Sequence, residues 1–362
     1  MHKDNVRVII ATGGTGGHIF PGIAIAQALL KAGVKEVMFL GRANSLEQKI
    51  VYRYGYPFKD INSAGIMGKK WTSKIKGAFQ VGFGIGQCFY FLRRYRPKIV
   101  LGLGSYASVP VLIAAKCLGI PIVVHEQNLI PGEANRILGK WAERVCLSFK
   151  ETTVYFPQKK YATTGNPVRE EIINVHRERG EGRLRVLVLG GSQGAHSINQ
   201  AFLEAWEELK HWQGQILLTH QTGERDYVWV KRAYKKMSTK AHVVSFVYNM
   251  AEVYAKTDLI IGRAGATSLA EITALGIPSI LIPFPWATHQ HQFYNAKRLA
   301  LAGAAIVIRQ DQLNGKILAE KITNFLKNRQ LLQSMAKRTL SLGTPWAGEK
   351  IAALCKSIIK GN

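Results

Sequence analysis

Apolar residues in this chain come in short runs that end on glycine or on clustered polar residues, and most runs lead into a stretch with helical spacing. The first run, Val6, Val8, Ile9 and Ile10, reads as a buried strand; Gly13, Gly14, Thr15, Gly16 and Gly17 read as a loop, and 21–30 as a helix. Strands are predicted next at 37–40, 99–103, 121–124 and 145–149, with a helix over 110–118. Residues 164–169 read as a linker, after which the pattern restarts with a strand at 185–189, a glycine turn at 190–195 and an amphipathic helix over 198–209. Further strands are predicted at 216–219, 243–247, 259–261, 279–282 and 305–308, with helices between them and a last amphipathic helix over 348–359. Strand alternating with helix demands parallel sheets covered by helices on both faces. The expected fold is therefore α/β: two doubly wound, Rossmann-like domains facing a cleft, spanning 1–165 and 166–344. A terminal helix over 345–362 is expected to pack back on the first.

The strand ends carry the candidate chemistry. A strand feeding a glycine loop and then a helix offers bare N–H groups and a positive helix end to an anion. His18 stands where the first such loop enters its helix. The dinucleotide fingerprint fails, because Ile19 occupies the place of its third glycine, and the strand at 37–40 leads to Arg42 where an NAD enzyme wants a carboxylate. Arg42 suits a 2′-phosphate, so the missing glycine is the stronger objection to NADP. The strand at 121–124 delivers His125, Glu126, Gln127 and Asn128, expected to face a ligand crevice, with capping of the next helix as the alternative for one of them. In the second half, residues 262–268 open another helix toward a phosphate, and the Glu271 carboxylate is placed to accept from ribose hydroxyls or to complement the helix dipole. His289 and His291 have no acidic residue close by to complete a metal set, so they and Gln290, Gln292 and Asn295 read as partners for a polar ligand. There is no D-x-D pair, and no metal or other cofactor is expected.

Charge changes the picture at 65–98. The sixteen residues 77–92 are uncharged, preceded by Lys69, Lys70, Lys74 and Lys76 and followed by Arg93, Arg94, Arg96 and Lys98. The stretch is too short and glycine-rich to span a bilayer. With Phe79, Phe83, Phe89 and Phe91 exposed, it would lie at an anionic membrane surface; the alternative is an interior helix with basic ends. Over all 362 residues, 49 Lys and Arg against 23 Asp and Glu give a net charge of +26, which draws nucleic acid, anionic membrane or phosphorylated substrates. Nucleic acid is disfavoured because the aromatics sit in one apolar run. Cys88, Cys117, Cys146 and Cys355 show no pairing pattern, which fits a reducing compartment, and the first residues lack a signal core.

Seven motifs occur in the order seen in one family: GGTGGHIFPG (13–22), GSYASVP (104–110), HEQN (125–128), GNPVR (165–169), GGSQGA (190–195), GRAGATSLAE (262–271) and HQFYNA (291–296). The chain thus resembles the MurG glycosyltransferases of peptidoglycan synthesis over nearly its whole length. The resemblance implies the GT-B fold, with acceptor handled by the first domain and UDP-N-acetylglucosamine held by the second. It implies transfer of N-acetylglucosamine to the 4-hydroxyl of undecaprenyl-diphospho-muramoyl-pentapeptide, lipid I, with inversion, at the cytoplasmic face of the bacterial inner membrane. Donor contacts carried over fall on Thr15, Gly16, Gly17, Asn128, Arg169, Ser192, Val247, Ala266, Thr267, Ser268, Leu269, Ala270, Glu271 and Gln292. Within that set Glu271 takes the ribose, the Ser192 loop the diphosphate and Gln292 the sugar. His291 stands where some members have a glutamine, which leaves that position without an assigned role. For the base that accepts the acceptor's proton, the candidates are His18 and Glu126; leaving-group charge falls to helix N-termini, with Arg169 or Arg263 adding to them. A UDP-sugar epimerase of the same architecture, with no lipid acceptor, is the alternative reading.

Overall fold

In a computed structural model of the protein, residues 6–13, 16–61, 71–157, 160–178, 182–191 and 193–361 are described, those at 16 and 71–81 by their backbone. The chain divides into two compact units, Met1–Arg169 with Thr344–Asn362, and Glu170–Gly343.

The first unit holds seven strands: β1 (Arg7–Ala11), β2 (Glu36–Gly41), β3 (Phe58–Asp60), β4 (Ile99–Gly102), β5 (Ile122–Glu126), β6 (Arg144–Leu147) and β7 (Tyr161–Thr163). All pair in parallel, in the order β3-β2-β1-β4-β5-β6-β7. The second holds β8 (Leu184–Leu189), β9 (Ile216–Gln221), β10 (Ala241–Val244), β11 (Leu259–Gly262), β12 (Ser279–Leu281) and β13 (Ala305–Val307). These are also parallel, in the order β10-β9-β8-β11-β12-β13. Each sheet reverses its winding at its first strand, β1 against β4 and β8 against β11. That switch point at the carboxyl ends is where open α/β sheets bind ligands.

Near-continuous apolar runs make these strands because both sheet faces are buried. Ile9 and Ala11 face one apolar core of the first unit, Val8 and Ile10 the other, and all four are fully buried. The helix Ala347–Gly361 completes the second of these cores with Ile351, Ala352 and Cys355, lying against the helix Gly16–Lys31. Four local readings of the sequence change. The helix expected over 21–30 begins at Gly16, so Pro21 stands inside it. The strand expected at 243–247 lies at Ala241–Val244. The three-residue strands β3 and β7 were not anticipated; both are sheet edges with exposed positions and no apolar run.

Residues 77–92 lie in one helix, Trp71–Tyr95. Its Cys88 and Leu92 are fully buried, with Ile85, Phe91 and Tyr95 packed beside them, and the helix lies against Val109–Cys117. Phe83 and Tyr90 on the outer face are 66% and 69% exposed, and Phe89 37%. Phe91 is therefore not among the exposed aromatics, and the Phe79 side chain lies outside the described residues. No helix among the described residues is long and apolar enough to cross a membrane.

Candidate functional site

In the first unit the carboxyl ends of β1, β4 and β5 bring three motifs together. Gly13 packs directly on the loop after β4: a Cβ there would collide with Ala107 and lie 2.7 Å from Ser105 Oγ. Ser105 itself has φ 100° and ψ 151°, a region that almost only glycine occupies, at a cost of about 1–3 kcal/mol. His18 lies in the helix Gly16–Lys31, which follows β1, and its Nδ1 lies 2.8 Å from the Leu103 carbonyl. A carbonyl only accepts, so Nδ1 carries the proton and Nε2 is the basic nitrogen of the neutral ring. Gln127 Nε2 donates to the same carbonyl at 2.7 Å, which fixes the acceptor that orients His18.

The motif at 125–128 turns inward rather than lining a crevice along its length. His125, Glu126 and Gln127 are 0%, 1% and 2% exposed; only Asn128 is half-buried. Burial lowers the His125 pKa to about 4, although the Gly165 carbonyl 3.3 Å away opposes the shift, so the ring is neutral at pH 7. Glu126 Oε1 accepts from the Asn128 N–H at 2.9 Å and from Asn128 Nδ2 at 3.3 Å. Its Oε2 accepts from the Gly132 N–H at 3.1 Å and from Asn135 Nδ2 at 2.8 Å. Burial holds its pKa above the usual carboxyl value, against the opposing pull of these donors. The carboxylate pins the 128–135 turn. Arg169, 4% exposed, donates to Tyr54 Oη at 2.8 Å and stacks over the Phe20 ring at 4.1 Å, so it braces the helix that bears His18.

In the second unit, the loops after β8, β10, β11 and β12 carry the remaining candidates at the carboxyl edge of its sheet. The turn at 190–195 leads into the helix His196–Glu208, and 263–265 lead into Ala266–Leu275, capped at Gly265. Ala266, Thr267, Leu269 and Glu271 are buried, while Ser268, Ala270 and Val247 are half-buried. Buried Glu271 accepts from Tyr254 Oη at 2.9 Å, a partner sequence reading missed. Arg263 is committed within the unit: Nη1 donates to the Ile282 and Pro283 carbonyls, and Nη2 to Ser197 Oγ at 3.1 Å and Gln310 Oε1 at 2.7 Å. Burial lowers its pKa to about 10. Gln292 Oε1 accepts from the Phe284 N–H at 3.0 Å, joining its helix to the loop after β12. His289 and Gln290 in that loop both take left-handed backbone (φ 52°). His291 Nδ1 donates to the Thr288 carbonyl at 2.8 Å. Thr15 and Ser192 lie outside the described residues, and Gly16 and Gly17 open the His18 helix. Among the described residues, no three His, Cys, Asp or Glu side chains converge as a metal site requires.

Comparison with known proteins agrees with this layout. Residues 8–147 match the glycosyltransferase family 28 N-terminal domain, and 185–351 match the glycosyltransferase family 28 C-terminal domain. A protein of Thermodesulfovibrio yellowstonii named UDP-N-acetylglucosamine–N-acetylmuramyl-(pentapeptide) pyrophosphoryl-undecaprenol N-acetylglucosamine transferase is 41% identical over 363 residues, covering 98% of this chain and 99% of the relative. A protein of the same name from Syntrophus aciditrophicus is 44% identical, again over 98% and 99% of the two chains. Among solved structures, MurG of Acinetobacter baumannii superposes with a TM-score of 0.77 at 28% identity, covering 97% of this chain and 99% of that one. A UDP-GlcNAc 2-epimerase from Neisseria meningitidis reaches 0.69 at 15% identity over 99% and 100%, a likeness of fold alone.

Proposed function

The chain belongs to glycosyltransferase family 28, and on that footing we propose how its residues divide the work of a UDP-N-acetylglucosamine-dependent transferase acting on lipid I to make lipid II. The observation that carries the reading is the pair of glycine-loop helix starts at the two sheet switch points, one of them presenting an oriented histidine. The second unit takes the donor. The 190–195 loop and the Ala266–Leu275 helix start meet the diphosphate, Glu271 the ribose and Gln292 the sugar. The first unit takes the acceptor.

The acceptor 4-hydroxyl attacks the anomeric carbon as the bond to UDP breaks, with inversion, and His18 Nε2 takes the hydroxyl proton. The tautomer supports this role, since Nδ1 is already bonded to Leu103. Glu126 is given no proton-transfer role, because both its oxygens hold the 128–135 turn. Arg169 and Arg263 are likewise positioning groups, each engaged inside its own unit. Charge on departing UDP falls to loop N–H groups and helix starts, without a divalent metal.

The exposed Phe83, Phe89 and Tyr90 with the basic ends of their helix suit peripheral attachment to the anionic cytoplasmic face of the inner membrane. Lipid II supply there links the enzyme to wall growth, cell shape and division. The test is transfer of labelled N-acetylglucosamine to a lipid I analogue, with and without chelator, by wild type and His18→Ala at saturating substrates. We expect chelator-insensitive transfer and a 10²–10⁴-fold lower kcat in the variant. A fall of less than about 10-fold removes His18 as the base, and a strict divalent-metal requirement removes the metal-free step.

A further inference from the structure

The segment His220-Gln221-Thr222-Gly223, which leaves the carboxyl end of β9, is built into the glycine loop at 190–195. Gln221, 3% exposed, donates from Nε2 to the Gly191 carbonyl at 2.8 Å. The two backbones also touch directly. A Cβ on Gly194 would collide with the Thr222 carbonyl and one on Gly223 with the Gln193 carbonyl, and both glycines have positive φ, 76° and 79°.

Behind this contact lies a fully buried polar chain. Asn199 Nδ2 donates to the Thr222 carbonyl at 3.0 Å and to Asp226 Oδ2 at 2.9 Å. Its Oδ1 can only accept, so His220 Nε2, 3.0 Å away, carries the proton. His220 Nδ1 then accepts from the Tyr234 hydroxyl at 2.8 Å. Every proton is assigned with a neutral His220, and burial lowers that ring's pKa to about 3. The chain fixes the exit of β9 and so the base from which Gln221 reaches the loop.

We propose that Gln221 is a positioning residue of the donor site, whose bond to the Gly191 carbonyl, an oxygen that also accepts from the Gly194 N–H at 3.0 Å, ties the loop that meets the donor diphosphate to the end of β9. This rests on the reading that the 190–195 loop faces the diphosphate.

The experiment compares UDP with uridine by titration calorimetry on the full-length protein, for wild type, Gln221→Met and Gln221→Glu. Methionine keeps the volume and cannot donate; glutamate donates only when protonated. Gln221→Met is expected to lose about 3- to 10-fold of the preference for UDP over uridine, with uridine affinity and acceptor KM unchanged. Gln221→Glu is expected to lose more at pH 8 and to recover toward wild type at pH 5.5, each ratio taken against wild type at the same pH. This pH reversal is a readout that a merely structural role does not produce, and it keeps the test alive if the methionine variant is unstable. Equal losses for UDP and uridine, or an unchanged preference in both variants, overturn the assignment of Gln221 alone. A wild type that binds UDP no better than uridine overturns the loop's role and this inference together.

Discussion

Glu47 is a carboxyl group in the wrong solvent. It is fully buried in the helix Leu46–Arg53, and a Cβ on Gly41, at the end of β2, would collide with its Oε1. Neither oxygen has a hydrogen-bond partner of ordinary geometry among the described residues. Burial raises its pKa from 4.5 to about 7, and the Arg42 backbone N–H offsets this only in part. Between those values the folded chain keeps a proton that the unfolded chain releases, so this group's contribution is full below pH 4.5 and is lost as pH rises through 7. A shift of this size corresponds to about 3 kcal/mol at 1.36 kcal/mol per pH unit. Glu47→Gln preserves the shape and has no charge to bury. Urea unfolding at pH 8 should show the variant more stable by up to about 3 kcal/mol, a midpoint shift on the order of 1–3 M for the transition of the first unit. At pH 4.5 the two proteins should differ by less than about 1 kcal/mol. A stability difference that stays constant from pH 4.5 to 8, or a wild type that is the more stable at pH 8, refutes the reasoning.

Two further outcomes follow from strain and exposure. Ser105→Gly should stabilise the first unit by about 1 kcal/mol, because relief of about 1–3 kcal/mol outweighs the usual glycine entropy cost; a loss of stability in thermal unfolding would mean that the backbone at 105 is not strained. Phe83→Ser combined with Tyr90→Ser should lower co-sedimentation with phosphatidylglycerol vesicles about 10-fold or more, with Tm unchanged; unaltered sedimentation removes this helix face as the membrane contact.

The alternation of strand and helix and the glycine loops at the switch points were readable because central parallel strands are apolar on both faces and the turns need glycine. Edges were not: Phe58-Lys59-Asp60 forms β3 with one neighbour and exposed charges, so no pattern announces it. The residues at 125–128 look from sequence like four ligands. Three of them serve the interior instead, because a buried acceptor such as the Leu103 carbonyl or a buried turn such as 128–135 must be satisfied from somewhere. Gln221 and Tyr254 escaped notice for the same reason in reverse, as polar residues within or beside apolar elements whose partners lie far along the chain. The clue available was the run HQTG at a strand end, the same position that made the other loops conspicuous.

The helix Ala347–Gly361 belongs to the first unit, although the whole of the second unit is encoded before it. A growing polypeptide therefore exposes the apolar flank of the Gly16–Lys31 helix throughout synthesis of Glu170–Gly343, while that later segment already has everything it needs to collapse. Assembly on the ribosome runs against the usual amino-to-carboxyl order. The unit made first is sealed last, when Ile351, Ala352 and Cys355 emerge. A stalled or clipped nascent chain would carry a complete second unit and an unsealed first one.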